Sequence, residues 1–256
     1  MFRYAIARTP GDNFADGLTT ATLGTPDYSK ALKQYQKYLD ALAQCGVKVT
    51  VLPKDMQHPD STFVEDVAIL TEKFAVLTHP GADSRKGEVE HIRSEIEKHF
   101  STVHIITAPG TLDGGDICDA DGHFFIGVSK RTNEEGAKQL ADFLTGGGYT
   151  AVCVDIRHLR SILHLKSGIA YLGENNLILI DDLVDHPAFK GYNIVRVSPE
   201  ENYAANCIRV NDAVIMPAGY PKLQASIEGL GYKVVTLEMT EFEKMDGGLS
   251  CLSLRF

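Results

Sequence analysis

Four short hairpins recur along this chain, and that recurrence constrains its fold more than any other feature. Residues 63–70 are followed by 74–77, and 115–118 by 124–127 across the turn Asp119-Ala120-Asp121-Gly122. Residues 169–172 are followed by 177–180 across Gly173-Glu174-Asn175-Asn176, and 207–210 by 213–216 across Asn211-Asp212. Asn, Asp and Gly suit such turns because they accept left-handed backbone torsions at small cost. A helix usually follows, then another strand. Val89, Ile92 and Ile96 predict a helix over about 88–99, closed by a strand at 103–106. The pattern Thr132 to Glu135 reads as a capping box ahead of Ala137, Leu140 and Leu144. That helix stops at Gly146-Gly147-Gly148, before a strand at 151–154, and a last helix at about 221–230 precedes a strand at 233–237. The N-terminal segment supplies a strand, a helix over about 29–45 with Leu32, Tyr35, Leu39 and Leu42 on one face, and a strand at 47–52. About five such units account for almost the whole chain. A circular array of them would close a ring around a central channel.

The bulk numbers narrow the function classes. With 256 residues, 44% of them hydrophobic and 23% charged, the chain can bury a sizeable core as one large domain or two small ones. No apolar run approaches the roughly 18 residues of a membrane span. The opening ten residues read as a strand and lack the charged-then-apolar build of a secretory leader, so a cytoplasmic protein with no membrane partner is expected. Cys45, Cys118, Cys153, Cys207 and Cys251 form no close-spaced pair, which suggests reduced thiols and neither a metal site nor a disulfide framework. A net charge of −9 argues against nucleic acid and favours a small cationic partner.

Polar residues crowd the starts of the first strands. Glu65 and Asp66 interrupt an apolar run, Asp113 and Asp116 flank two glycines, and His164 and Lys166 precede Ser167-Gly168. Asn206 precedes Cys207, and Asp246 opens Gly247-Gly248-Leu249-Ser250-Cys251. In a ring these groups would face one another. A thiol (Cys251), an imidazole (His164) and a carboxylate (Asp113) brought together make a nucleophile, a proton shuttle and an electrostatic anchor. Each also has a plainer reading: a small buried hydrophobe in a terminal strand, a hydrogen-bonded core histidine, and an acid in a tight turn.

The chain resembles the dimethylarginine dimethylaminohydrolase family of the guanidine-modifying pentein superfamily. The resemblance is carried, in order, by Asp16-Gly17-Leu18-Thr19, Phe63-Val64-Glu65-Asp66, Leu112-Asp113-Gly114-Gly115-Asp116, Ser129-Lys130-Arg131-Thr132-Asn133, Leu163-His164-Leu165-Lys166, Ala204-Ala205-Asn206-Cys207 and Met245-Asp246-Gly247 through Cys251. Any one stretch is weak; together they are specific, and they run from the first strand to the last. The resemblance implies a single catalytic domain over residues 1–256, an α/β fold, and a five-bladed pseudosymmetric α/β propeller (pentein) with the active site in its central channel. It implies that Cys251 is the nucleophile, His164 the general acid and base, and Asp113 the carboxylate that orients His164. Many relatives carry Glu at that position.

Asp66 then grips the guanidinium, while Arg85 and Arg131 bind the substrate α-carboxylate and Asp60 lies near its α-amine. Leu18 belongs to a lid over the site, Phe63 and Glu65 shape it, and Met245 and Asp246 lie on the loop before the nucleophile. The implied reaction is hydrolysis of a methylated arginine to citrulline and a methylamine through a covalent thiouronium on Cys251. It calls for no metal and no organic cofactor. The resemblance leaves room for a homodimer and leaves Lys166 unassigned. An arginine deiminase or another guanidine hydrolase is the nearest alternative; a non-catalytic pentein that binds a macromolecule is a more distant one, having no need of Asp113, His164 and Cys251 together.

Overall fold

A computed structural model describes residues 1–256. Its strands form five three-stranded sheets built to one plan: the first strand is antiparallel to the second, and the second is parallel to the third. The opening sheet contains β1 (Tyr4–Arg8) and, after helix α1 (Tyr28–Gln44), β2 (Lys48–Leu52). The second comprises β3 (Ala68–Leu70), β4 (Ala75–Leu77), helix α2 (Glu90–Ile96) and β5 (Val103–Ile105). The third comprises β6 (Ile117–Ala120), β7 (His123–Val128), helix α3 (Glu134–Gly146) and β8 (Thr150–Asp155). The fourth holds β9 (Ile169–Gly173), β10 (Asn176–Ile180) and β11 (Asn193–Val197). The fifth holds β12 (Ile208–Val210), β13 (Ala213–Pro217), helix α4 (Pro221–Gly229) and β14 (Lys233–Leu237). A short helix α5 (Thr240–Glu243) leads to β15 (Leu254–Arg255).

β15 closes the ring. It pairs antiparallel with β1, Ala5 facing Arg255 and Ile6 facing Leu254, and so supplies the first strand that the opening sheet lacks. The result is a five-bladed α/β propeller. A parallel second and third strand need a long return, and a helix fills it in four blades. In the fourth blade two 3-10 turns, Asp181–Leu183 and Pro187–Phe189, take its place. The middle strands β10 and β13 are buried along their whole length, as a strand covered on both faces must be. Helix periodicity sets the outer packing: Ala137, Leu140 and Leu144 of α3 cover Phe124 and Ile126 of β7. No helix is long and apolar enough to cross a membrane.

Four local expectations need correction. Residues 63–70 are not one strand, because Val64–Val67 forms a 3-10 turn and β3 starts at Ala68. Cys251 likewise lies in the 3-10 turn Ser250–Leu252 and not in a terminal strand. Together with Gly114–Asp116, Leu165–Ser167 and Pro199–Ala205, these make five turns, one ahead of the first strand of each blade. A 3-10 turn repeats every three residues. Val64 and Val67 therefore share the core side while Glu65 and Asp66 are turned away from it, which an extended strand would not allow. The helix expected over 88–99 begins as a 3-10 turn, Asp83–Val89, before the seven residues of α2. The cap of α3 is Asn133, which accepts from the Gly136 amide at 2.8 Å, because the Thr132 hydroxyl is committed to Asp116.

Candidate active site

The five 3-10 turns meet at the centre of the ring; Glu65, Asp66 and Cys251 lie on them, and Phe63, Asp113 and His164 immediately precede them. From the turn ahead of β6, fully buried Asp113 places Oδ2 at 3.0 Å from His164 Nε2 and accepts at Oδ1 from the Gly81 amide at 2.8 Å. Arg131 Nη1 lies 3.6 Å from the same Oδ2. From the turn ahead of β3, Asp66 Oδ1 accepts from the Gly115 amide at 2.9 Å, and its Oδ2 accepts from Arg85 Nη1. Side-chain atoms of Asp66, Asp113 and His164 all lie within 4.8 Å of one another. Gly115 is required there: a Cβ would stand 2.8 Å from Asp66 Oδ1 and 3.0 Å from the His164 ring.

Glu65, on the same turn as Asp66, accepts from Lys166 Nζ at 2.6 Å and from Ser250 Oγ at 2.7 Å. This layer crosses the channel. Beneath it a cavity of about 440 Å³ is lined by Glu65, Lys166 and Ser250 and by Cys118, Arg209 and Arg255. On another side a vestibule of about 730 Å³ is bordered by Leu163 and Ser167 near His164, by Gly248 near Cys251 and by Asn206, with Thr20 and Leu23 of the loop that follows Leu18.

Cys251 is half-buried, with the Gly248 amide 3.5 Å from Sγ and the Ser250 hydroxyl 4.0 Å away. Its turn packs against Val64–Val67. Burial first, then the charges of Glu65 and Asp66, push the thiol up to about 12. His164 moves in the sense opposite to its burial. Burial alone would lower it, but Asp66, Asp113 and Asp116 outweigh that and hold the imidazole up at about 9. Asp113 is buried too, yet its bond to His164 keeps it below the usual carboxylate range. At neutral pH the free site therefore holds a protonated thiol, an imidazolium and ionised Asp113.

The expected lid is latched at two points. Both oxygens of Asp60 accept from the Leu18 amide, at 3.0 and 3.2 Å, and burial raises Asp60. Asp246, in the left-handed region at φ 55°, accepts from the Thr20 amide and, at 2.9 Å, from its hydroxyl. Phe63 and Met245 are buried beneath this loop, where Phe63 joins Phe14 and Phe242 in an aromatic cluster. Met245 Cε would lie 3.2 Å from a Cβ on Gly17.

Arg85 does not sit as a free carboxylate clamp. Its Nε and Nη2 donate to Glu88 at 3.0 and 2.7 Å, Nη1 donates to Asp66, and Nη2 also reaches the Phe63 and Asp60 carbonyls. One Nη1 proton has no partner, and its other donors neutralise buried acids. Arg131 is the more open of the two.

Several contributors were not assigned roles from sequence. Asp116, fully buried and raised by burial to about 6, accepts from the Leu165 amide at 2.9 Å and from the Ser129 and Thr132 hydroxyls at 2.7 Å each, which fixes the backbone beside His164. Asn206 Oδ1 accepts from the Ser250 amide at 2.9 Å and holds the Cys251 turn. Lys166 neutralises Glu65. All three stand in the polar clusters at the blade starts, a signal that marks position but not partner.

Two groups have metal-ligand spacing: Asp66, Asp113 and His164 at the centre, and Asp55, His58 and His91 away from it. At the centre Arg85 and Arg131 already supply cations to the two carboxylates, so a metal would compete with them.

Known proteins resemble the chain over its whole length. A sequence-family profile described as "N,N dimethylarginine dimethylhydrolase, eukaryotic" matches residues 25–253. The N(G),N(G)-dimethylarginine dimethylaminohydrolase of Pseudomonas aeruginosa is 48% identical over 257 residues, covering 100% of both chains. A crystal structure of the enzyme from that organism, a cysteine-to-serine mutant complexed with citrulline, superposes with a TM-score of 0.97 at 47% identity over 100% of each chain. A dimethylarginine dimethylaminohydrolase with a histidine-to-glycine change, as its adduct with S-methyl-L-thiocitrulline, superposes equally well, at 0.97, 47% and 100% of each chain.

Proposed function

The chain belongs to the dimethylarginine dimethylaminohydrolase family, and from that premise we propose that it hydrolyses Nω-methylated arginines to citrulline and a methylamine through a covalent adduct on Cys251. The observation that carries the reading is the convergence of Asp66, Asp113 and His164 within 4.8 Å, beside a free thiol whose ionisation burial and then the neighbouring carboxylates suppress. Such a site lacks a cation. Asp60, Glu65, Asp66, Glu88, Asp113 and Asp116 are buried around it, against Arg85, Arg131 and Lys166 and the His164 imidazolium. A guanidinium group offsets part of that excess.

The delocalised cation lies between Asp66 and Asp113, which hold it in line with Sγ, a positioning effect of several kcal/mol. Its charge counters the burial and the carboxylates that hold the thiol up, so the thiol gives up its proton to solvent more readily when substrate arrives. Cys251 attacks the guanidinium carbon. His164, already protonated, delivers its proton to the departing methylamine and leaves a thiouronium. Now neutral, it takes a proton from water, which attacks the same carbon; collapse expels the thiolate and releases citrulline. Arg131, with the remaining Arg85 proton, takes the substrate carboxylate, and Asp60 lies on the α-amine side beneath the Leu18 lid. The reading treats residues 1–256 as one catalytic unit, because Cys251 lies on the turn that leads into the closing strand β15.

The solved relatives support this reading by what they hold: citrulline in one, and an adduct with S-methyl-L-thiocitrulline in the other. The test is citrulline release from asymmetric dimethylarginine and from arginine, side by side, with Cys251→Ala as control. Preference for the methylated substrate, lost in the variant, is expected. Preference for arginine would make the protein a deiminase instead.

A further inference from the structure

Away from the ring centre, a buried carboxylate is shared by two imidazoles. Asp55 Oδ2 lies 3.0 Å from His58 Nδ1 and 2.5 Å from His91 Nδ1, and the two rings meet edge to face with centroids 5.1 Å apart. The other oxygen, Oδ1, accepts from the Gln57 amide at 2.9 Å, which fixes the plane of the carboxylate as an outer-shell partner would. Asp55 and His58 come from the loop after β2, and His91 from the first turn of α2. Gly87 keeps the space open: a Cβ there would stand 2.4 Å from His58 Nε2.

One carboxylate oxygen facing two imidazole nitrogens is more than a hydrogen-bonded latch needs. It is an N,N,O donor set with all ligand atoms within 4.8 Å of one another. We infer that Asp55, His58 and His91 bind a divalent transition-metal ion of the zinc class, which replaces the two Nδ1 protons and joins the loop after β2 to α2. Mixed imidazole and carboxylate ligands suit Zn²⁺ or Co²⁺ better than Ca²⁺ or Mg²⁺, which prefer oxygen alone. Bonds of about 2.0–2.2 Å place tetrahedral ligand atoms roughly 3.3 Å apart, so His91 must withdraw by somewhat under 1 Å. It can do so, because its side chain is 40% exposed, against 14% for His58, and this also leaves an entry path and room for water as the fourth ligand. Arg8 is the opposing charge; it donates to the Pro53 and His91 carbonyls and is itself drawn toward Asp55 and Glu88.

The location gives such an ion a consequence. The loop that carries Asp55 and His58 runs on to Asp60, the anchor of the lid, and the 3-10 turn leading into α2 carries Arg85. An ion here fastens the two segments together behind the substrate pocket. The inference does not depend on the reaction assigned above.

The test is a Co²⁺ titration of the full-length protein with Cys251→Ala, which removes thiolate ligation at the catalytic site, compared with the same protein carrying His91→Gln in addition. Glutamine keeps a hydrogen bond to Asp55 but is a poor ligand. The parent is expected to bind one more equivalent than the His91→Gln protein, with an X-ray absorption edge showing nitrogen and oxygen neighbours and no sulfur. Because loss of an outer-shell partner alone weakens binding 10–100-fold, loss of His91 should weaken that equivalent at least tenfold. Asp55→Asn, a second variant, should lose the same equivalent. Melting temperatures in chelator should be alike for the parent and His91→Gln. Equal stoichiometry with and without His91, or no binding by the parent, overturns the inference.

Discussion

The ionisation of Cys251 offers the sharpest check on how this site operates. Its thiol stands at about 12, against about 8.5 for a free cysteine. At pH 7 the free enzyme then holds about one thiolate in 10⁵. A guanidinium about 4 Å from the sulfur, at an effective dielectric constant near 20, contributes about 4 kcal/mol, or about three pH units. Binding should bring the thiol to about 9 and raise the thiolate fraction at neutral pH roughly 1000-fold. Alkylation of the free protein by iodoacetamide, with Cys251→Ser subtracted, should rise about tenfold per pH unit and show no plateau between about pH 7 and 10. The subtraction matters because Cys153 is exposed and Cys45 partly so, and both are open to the reagent. In stopped flow, mixing with methylated arginine should give an immediate rise in thiolate absorbance that neutral citrulline does not. A plateau near pH 8.5 in the free protein, or an equal rise with citrulline, would refute the argument.

The other predictions bear on the support of the site. Gly115→Ala puts a methyl group 2.8 Å from Asp66 Oδ1 and 3.0 Å from the His164 ring, so turnover should fall on the order of 100-fold while the fold survives. Wild-type kcat with a normal circular dichroism spectrum would count against it. Asp116→Asn turns one acceptor into a donor that faces the Leu165 amide or the Ser129 and Thr132 hydroxyls, and should cost about 1–3 kcal/mol, read from urea unfolding. For His164 the sign is that of a base whose folded value, about 9, exceeds its unfolded one. Its stabilising contribution is complete below about pH 6.5 and is lost as pH rises through about 9. The gap in urea midpoint between the native protein and His164→Gln should close across that window; a constant gap would show that the proton is not held.

What could be read from the chain divides along physical lines. Hairpins and crossover helices announce themselves, because alternation, turn residues and helical spacing are local; four of the five units open on a local hairpin and four carry the helix. The 3-10 turns do not. Val64-Glu65-Asp66-Val67 reads as an apolar strand with two acids in it, because a three-residue repeat over four residues is too short to be seen. Thr132 looked like a helix cap by local spacing, but Asp116, sixteen positions away, has the stronger claim on its hydroxyl. Arg85 shows the same limit. Its place in the sequence fits a substrate clamp, whereas its partner Asp66 comes from a segment that only the fold brings to it; Glu88 stands three residues on in the same turn.

Those hidden partners follow from how a ring of turns must be stabilised. Each blade contributes a polar turn to the centre, and burying that many acids together is unfavourable unless each finds a donor. Asp116 finds hydroxyls and an amide, Glu65 finds Lys166 and Ser250, and Asp66 finds Arg85 and the Gly115 amide. Asp113 has a backbone amide, a more distant Arg131 and His164. Of these carboxylates it is therefore the one whose closest cation can also surrender its charge, since an imidazolium loses a proton where arginine does not. In the proposed reaction a leaving amine takes that proton and leaves Asp113 ionised beside a neutral imidazole, which favours prompt reprotonation from the attacking water. On that proposal the pairing that stabilises the resting ring is the one whose disturbance drives the second half of the reaction.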